Sequence, residues 1–159
     1  GEGGARVVNG SWGRTIRPYS DFCEDHDEGL HVYDDMVYVA SAGNLGDDIE
    51  RWGDPSVKDP ALCKNVIAVG VTYGGDDADD LVSYSSLGPT LDGRTKPDVV
   101  APGVEVNSAI AATKCAFEEW EGTSMAAPVV AGVGGLVFFY FFFFLLGAHP
   151  PPPPKLWGP

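Results

Sequence analysis

The sequence predicts an α/β fold built on a mostly parallel sheet. Two apolar runs, residues 37–40 and 65–71, lack the polar–apolar alternation of a half-exposed strand, so both are expected to be buried on two faces. Residues 6–9 and 81–85 are predicted to be further strands. A helix over residues 123–137, rich in small apolar side chains, should cover the sheet and be mostly buried.

The start of that helix is predicted by Gly-Thr-Ser-Met-Ala-Ala-Pro at residues 122–128. Gly122 permits a tight turn, and Thr123 or Ser124 can cap the helix. Pro128 is tolerated near a helix start because the first amides have no partner within the helix. Ser124 should therefore lie where the helix dipole favours the negative charge that forms when a serine oxygen attacks a carbonyl. An ordinary capping serine is the alternative from these residues alone.

The remaining segments are predicted to be a surface helix, loops and turns. Residues 19–36 are compatible with a helix, residues 45–64 and 88–103 with loop and extended structure, and residues 74–80 with an acidic turn. The acidic clusters at 21–35 and 76–80 leave Ca²⁺ open as a ligand, but they match no EF-hand spacing. Hydrated carboxylates are favoured instead.

Charge and cysteine content exclude some classes of protein. A net charge of −13, with only ten Lys and Arg residues, argues against a nucleic-acid partner. Three cysteines without a Cys-x-x-Cys spacing predict neither a disulfide-dense scaffold nor a structural zinc site. A disulfide between Cys63 and Cys115 would brace the serine loop and leave Cys23 over, but the sequence does not fix the pairing.

The end of the chain differs in character from the rest. Residues 138–159 form a low-complexity tail, first rich in phenylalanine and then in proline, which is expected to pack poorly. The uncharged residues 129–148 are long enough for a membrane span, but half of them belong to the predicted helix. A membrane anchor through the tail is therefore disfavoured and kept open. The chain opens on Gly1 without an initiator methionine or a signal peptide, which predicts a fragment.

Four blocks, taken together and in this order, resemble the subtilisin-like serine proteases, the subtilases of peptidase family S8. They are residues 9–13, 39–44, 83–103 and 122–128. The resemblance implies a three-layer subtilisin-like fold that is incomplete because its amino-terminal part is absent. Residues 1–137 would be the carboxyl-terminal part of the catalytic domain.

The same resemblance implies roles for individual residues. Ser124 would be the nucleophile and Asn44 the oxyanion-hole donor. The substrate-binding residues would be Ser11, Trp12, Gly13, Ala42 and Gly43. Polypeptides would be the substrates, the location would be secreted or extracellular, and no residue is assigned to a metal. No cofactor is certain.

The family's catalytic Asp and His blocks are not found in the sequence. His26, His31 and His149 lie in other sequence contexts and are interpreted as surface or loop residues. The chain is therefore predicted to be part of a serine endopeptidase and to hydrolyse peptides poorly by itself. A non-catalytic remnant of the family and a membrane-anchored binding protein are the alternatives.

Overall fold

A computed structural model describes residues 4–47 and 55–141, together with positions 144 and 147. Its elements, in chain order, are β1 (Val7–Gly10), α1 (Asp21–Val32), β2 (Val37–Ser41), β3 (Val66–Thr72), a 3₁₀ turn (Gly75–Asp77), β4 (Val99–Pro102), β5 (Val106–Ala109), β6 (Phe117–Trp120) and α2 (Thr123–Tyr140).

Four strands form a parallel sheet in which each strand pairs with the next one along the chain. The order is β1-β2-β3-β4, and β5 and β6 make a separate antiparallel hairpin. Val39 lies opposite Ile67, and Val69 lies opposite Val99. Because all four strands run in one direction, the loops that follow β1 and β2 leave the same edge of the sheet.

The sheet separates two apolar cores, which gives the three layers that the resemblance implies. On one face, Cys23 and Leu30 of α1 pack with Ala40 and Ala68. On the other face, Ala126 and Ala127 of α2 pack with buried valines of β2 and β3. Successive strand residues point to opposite faces, so an uninterrupted apolar run serves both cores.

Helix α2 is longer and more exposed than the sequence predicts. It extends three residues past the predicted end at 137, and its buried residues are Thr123, Ala126 and Ala127. Val133 is 55% exposed and Leu136 is 71% exposed, so the expectation of a mostly buried helix is wrong. Eighteen helical residues extend about 27 Å, whereas strands of four to seven residues extend roughly 13–23 Å. The sheet therefore covers the first turns and leaves the last turns uncovered.

The aromatic end of α2 is half exposed where it is described. Phe139 is 47% exposed, Tyr140 and Phe141 are 55% exposed, and Phe144 is 72% exposed. Within the described residues, α2 is the helix long and apolar enough to cross a bilayer, with a mean hydropathy of 1.5. The proline run at 150–154 lies outside the described residues. The domain boundary at 137/138 stays a prediction, and α2 continues across it.

The strand predicted at residues 81–85 is wrong. Leu81 makes a single antiparallel bridge to Thr72, and the chain then turns as the Ser85 amide donates to the carbonyl of Val82. The Ser85 hydroxyl accepts a hydrogen bond of 3.1 Å from the Val71 amide. The Ser85 side chain thus accepts the hydrogen bond from β3 that the backbone of a neighbouring strand would otherwise accept.

The predicted surface helix is confirmed as α1, and one member of its acidic cluster is buried. Asp27 is 8% exposed. It accepts hydrogen bonds from the amides of Lys64 and Asn65, at 2.9 and 2.7 Å, and from the Tyr19 hydroxyl at 2.8 Å. Asp27 therefore ties α1 to the start of β3 and is not part of a hydrated acidic face. For the other acidic residues, hydrated carboxylates stay the prediction and Ca²⁺ stays the alternative.

The Tyr19–Asp27 contact predicts a loss of stability at alkaline pH. Burial, followed by the hydrogen bond to Asp27, raises the pKa of Tyr19 to about 12. A raised tyrosine pKa means that the folded state favours the neutral form of Tyr19. The stabilisation of the folded protein by neutral Tyr19 is therefore complete below pH ~10 and is lost as the pH rises towards 12. In Tyr19→Phe, the melting temperature should therefore fall less steeply with pH over that range. Equal slopes of melting temperature against pH for the wild type and Tyr19→Phe, from pH 9 to 12, would contradict this role of Tyr19.

The disulfide joins Cys23 to Cys63, with Cα atoms 4.9 Å apart, and Cys115 is an exposed free thiol. The proposed pairing of Cys63 with Cys115 is therefore wrong, and so is the expectation that Cys23 is left over. The observed bond links α1 to the loop before β3. A crosslink between residues 40 positions apart constrains the unfolded chain by roughly 4 kcal/mol in the loop-entropy model.

Candidate active site

The candidate site lies at the edge of the sheet where β1 and β2 end and α2 begins. Gly122 is the N-cap residue of α2 and Ser124 is its second helical residue. No side chain of α2 caps its own helix, so Thr123 and Ser124 do not act as caps in the predicted way. The first-turn amides and the positive end of the helix dipole therefore face this edge of the sheet.

Asn44 supplies the missing cap from a different segment. Its Oδ1 atom accepts hydrogen bonds from the Thr123 amide at 3.0 Å and from the Thr123 hydroxyl at 2.8 Å. The same hydroxyl accepts a bond of 3.1 Å from the amide of Gly43. Because both bonds to Asn44 end on its oxygen, its Nδ2 group remains the donor available to a ligand.

Two glycines permit this close approach. Gly122 has φ +135°, and a Cβ at this position would lie 2.9 Å from Asn44 Nδ2. Gly103 follows β4 and forms two backbone hydrogen bonds. Its amide donates to the Thr72 carbonyl, and its carbonyl accepts from the Gly122 amide at 2.8 Å. A Cβ on Gly103 would lie 2.8 Å from the Gly122 oxygen. The turn before Ser124 therefore rests directly on the backbone at the end of β4.

The segment after β1 contacts Ser124 directly. The Ser11 hydroxyl donates to the Ser124 carbonyl at 2.7 Å, and Asn9 Nδ2 donates to Ser11 Oγ at 2.9 Å. The Ser124 hydroxyl points back to the carbonyl of Ser11, at 3.4 Å. At that length the bond is weak, so the Ser124 oxygen is held only loosely in this arrangement.

A cavity of about 180 Å³ adjoins Ser124. It is lined by Trp12, Gly13, Ser41, Gly43, Asn44, Leu45, Lys58, Thr123 and Ser124. Five of the seven residues predicted for the site are in this lining, and Ser11 hydrogen-bonds to Ser124. Ala42 is not in the lining: it is fully buried, and its amide donates to the carbonyl of Val69.

Sequence reasoning misses two functional candidates in this lining, Thr123 and Lys58. The sequence pattern identifies Thr123 only as a possible cap, although its place beside the predicted nucleophile is a signal. Lys58 comes from the loop before β3 and belongs to no motif. Its closeness to Ser124 depends on the path of that loop, which local sequence patterns do not encode.

No described histidine, aspartate or glutamate hydrogen-bonds to the Ser124 hydroxyl. His26 packs between the rings of Phe22 and Tyr38, with ring centroids 4.4 and 5.1 Å away. His31 is an exposed residue of α1, and His149 lies outside the described residues. The part of the chain that is described therefore holds a serine and an amide donor without a general base.

One group of potential metal ligands is present in the described ranges, formed by Cys23, Asp59 and Cys63. Both sulfur atoms belong to the disulfide, so they are not thiolates. Asp59 is bound by Arg14 at 2.7 Å and by the Ser20 hydroxyl at 2.8 Å. The group is structural and does not have the chemistry of a metal site.

A serine at a helix N-terminus, facing an anchored amide donor, can support attack on a carbonyl and can stabilise the oxyanion that results. The subtilase family model matches residues 2–140, and the chain belongs to the subtilase family. This confirms the family predicted from the four sequence blocks.

The relatives of this chain include proteins named as serine proteases. Serine protease AprX of Bacillus subtilis (strain 168) is 33% identical over 114 residues, which are 64% of this chain and 26% of AprX. Thermophilic serine proteinase of Bacillus sp. (strain AK1) is 42% identical over 101 residues, 64% of this chain and 21% of that protein. Pyrolysin of Pyrococcus furiosus is 32% identical over 153 residues, 82% of this chain and 11% of pyrolysin. The chain therefore spans about a quarter or less of these relatives.

Solved structures show the same fold. The prenylagaramide maturation protease PagA superposes with a TM-score of 0.68 at 22% identity, covering 94% of this chain and 48% of PagA. Sphericase superposes with a TM-score of 0.64 at 22% identity, covering 84% of this chain and 43% of sphericase. These likenesses confirm a subtilisin-like α/β fold, of which the chain covers a part.

Proposed function

We propose that the protein to which this chain belongs is a serine endopeptidase that hydrolyses polypeptides through an acyl-enzyme on Ser124. The observation that carries the proposal is the anchoring of Asn44. Thr123 holds the Asn44 oxygen with two hydrogen bonds, next to Ser124 in the sequence. The Asn44 Nδ2 group and the Ser124 amide are then the two donors for the oxyanion.

The general base is proposed to come from sequence outside this chain. Serine is a poor nucleophile until a base removes its proton, and no described group does so for Ser124. The chain spans only 11–26% of the three relatives compared above, so most of each relative has no counterpart here. A histidine and an aspartate in the remaining protein would complete the catalytic set.

The substrate is proposed to lie in an extended conformation along residues 11–13 and Gly43, and the buried Ala42 supports Gly43 from below. Ser11 already hydrogen-bonds to Ser124, and Trp12, Gly13 and Gly43 line the adjoining cavity. Glycines let another backbone approach closely, as pairing with an extended peptide requires. The acidity of the chain, with a net charge of −13, is consistent with a polypeptide substrate and not with nucleic acid.

A secreted or extracellular location is proposed together with this function. The Cys23–Cys63 disulfide supports it because disulfides persist in oxidising compartments. A membrane anchor through α2 is disfavoured by the fixed position of its first turn. Thr123 is 1% exposed and is bonded to Asn44 at the edge of the sheet.

Fluorophosphonate labelling tests the proposed function. The whole protein, expressed from its complete reading frame, should be labelled on Ser124, and Ser124→Ala should abolish the label. The 159-residue chain alone should be almost silent because its serine stays protonated without a base. Mass spectrometry of the labelled peptide would locate the modification.

Two results would contradict the proposal in different ways. A whole protein that folds but takes no label would be a non-catalytic member of the family. Strong labelling of the 159-residue chain would mean that a base is supplied from within, and His26 and His31 would then be the described residues to replace first.

A further inference from the structure

We propose that Lys58 selects substrates with an acidic side chain on the residue whose carbonyl is attacked. The proposal rests on the proposed function and adds a substrate class to it. Lys58 and Ser124 line the same cavity of about 180 Å³. That volume is below the ~300–1,000 Å³ of sites for drug-sized ligands, so the cavity suits a single side chain.

The position of the cavity identifies which side chain enters it. The carbonyl under attack would lie between the Ser124 oxygen and Asn44 Nδ2, and both residues are in the lining. The Cα atom that bears the neighbouring side chain is bonded directly to that carbonyl carbon. The cavity beside the two groups is therefore the space for the residue on the acyl side of the scissile bond.

The loop that carries Lys58 is fixed against the segment after β1. The Arg14 amide donates to the Asp59 carbonyl at 2.9 Å, and the Asp59 amide donates to the Ile16 carbonyl at 3.0 Å. The Cys23–Cys63 disulfide closes the same loop from the other side. Lys58 is thus held beside the cavity by backbone bonds and a covalent link.

Two glycines leave the room that the lysine side chain occupies. A Cβ built on Gly43 would lie 3.0 Å from Lys58 Cε, and one built on Gly13 would lie 3.2 Å from the same carbon. Real Cβ contacts are rarely this close, so a side chain at either position would displace the lysine. The aliphatic stem of Lys58 therefore passes between Gly13 and Gly43, both of which line the cavity.

The lysine charge is not neutralised within the described residues. No described carboxylate forms an ion pair with Lys58, although the chain carries an excess of 13 negative charges. The neighbouring Asp59 is fully buried and is paired with Arg14 at 2.7 Å. The positive end of the α2 dipole adds to the field in the cavity. A carboxylate on the substrate would supply the missing partner.

The test compares glutamate with glutamine, which have nearly the same shape and differ in charge. Fluorogenic peptides that differ only at the acyl-side residue would be assayed with the whole protein at neutral pH. We expect kcat/KM to be about 10–100-fold higher for glutamate, as for a hydrogen-bonded charge pair. Lys58→Met should bring the ratio close to one, and Lys58→Glu should invert it. Lys114→Met, at an exposed position, is the matched control and should keep the wild-type ratio.

Each failure has its own signature. Hydrolysis of both peptides with a ratio that is insensitive to Lys58→Met would overturn the role of Lys58 and leave the peptidase intact. When neither peptide is hydrolysed, fluorophosphonate labelling of Ser124 decides the proposed function, which fails if the whole protein takes no label. The Lys58 proposal is then decided by fluorescence anisotropy, in which the glutamate peptide must bind more tightly than the glutamine peptide, and only when Lys58 is present. Equal binding would overturn it.

Discussion

Asn44→Asp in the whole protein should lower kcat by about 10²–10³-fold or more without lowering the melting temperature. The aspartate keeps an oxygen for the Thr123 amide and hydroxyl, which lie 3.0 and 2.8 Å from Asn44 Oδ1, but it has no Nδ2 donor. The added negative charge stabilises the start of α2 and repels the oxyanion. The expected size of the kcat effect is the one known for the oxyanion-hole asparagine of a subtilisin, a member of this same family.

Asn44→Ala is the matched variant that removes both groups. It should lower kcat by a similar factor and also reduce stability by about 0.5–2 kcal/mol, because the helix cap is lost. Steady-state kinetics and thermal melts on the two variants separate the donor from the cap. A normal kcat in Asn44→Asp would mean that Nδ2 does not stabilise the oxyanion. An unchanged melting temperature in Asn44→Ala would mean that the cap formed by Asn44 does not contribute to stability.

Gly103→Ala should damage both stability and activity, although Gly103 does not line the cavity. The new Cβ would lie 2.8 Å from the Gly122 carbonyl oxygen and 2.9 Å from the Ala126 amide nitrogen. Both neighbours are backbone atoms, so relief requires α2 to move away from β4. Overpacking of this kind costs about 1–3 kcal/mol. Displacing the start of α2 also misaligns Ser124 with Asn44, so kcat should fall together with the midpoint of urea unfolding.

Gly29→Ala provides the control for the change itself. Gly29 lies within α1, and a Cβ there meets no atom within 4 Å. Alanine in a helix is more stable than glycine by about 0.5–1 kcal/mol, so this variant should unfold at higher denaturant concentration and retain its activity. If Gly103→Ala leaves the stability unchanged while Gly29→Ala raises it, the backbone around Gly103 can shift to accommodate the new Cβ, and the prediction for Gly103 is wrong.

The residues beside the nucleophile are predictable because short-range chemistry fixes them. Gly122 and Pro128 mark a helix start, and the apolar run before Asn44 marks a buried strand whose carboxyl end faces the ligand edge of a parallel sheet. Because the segments at residues 39–44 and 122–128 resemble the same family, the contact between them is predictable. Thr123 makes that contact through its amide and hydroxyl, which explains why a threonine stands next to the serine.

Features that depend on distant parts of the chain are not predictable in this way. The cysteine pairing depends on where α1 packs, because Cys23 reaches Cys63 only when α1 lies on the sheet face next to the loop before β3. Lys58 reaches the cavity through the path of the same loop. The exposure of α2 depends on the length of the strands beneath it, and a turn that Ser85 stabilises with its hydroxyl takes the place of the strand expected at 81–85.

The Cys23–Cys63 bond also determines what happens when the backbone is cut. The disulfide closes a covalent ring over residues 23–63, and this ring contains both Asn44 and Lys58. A single break of the peptide chain anywhere inside it, by self-cleavage or by another protease, leaves the two pieces joined. The amide donor and the cavity lysine then stay attached to the molecule that carries Ser124. A nicked protein would keep its parts together until a reductant opened the ring.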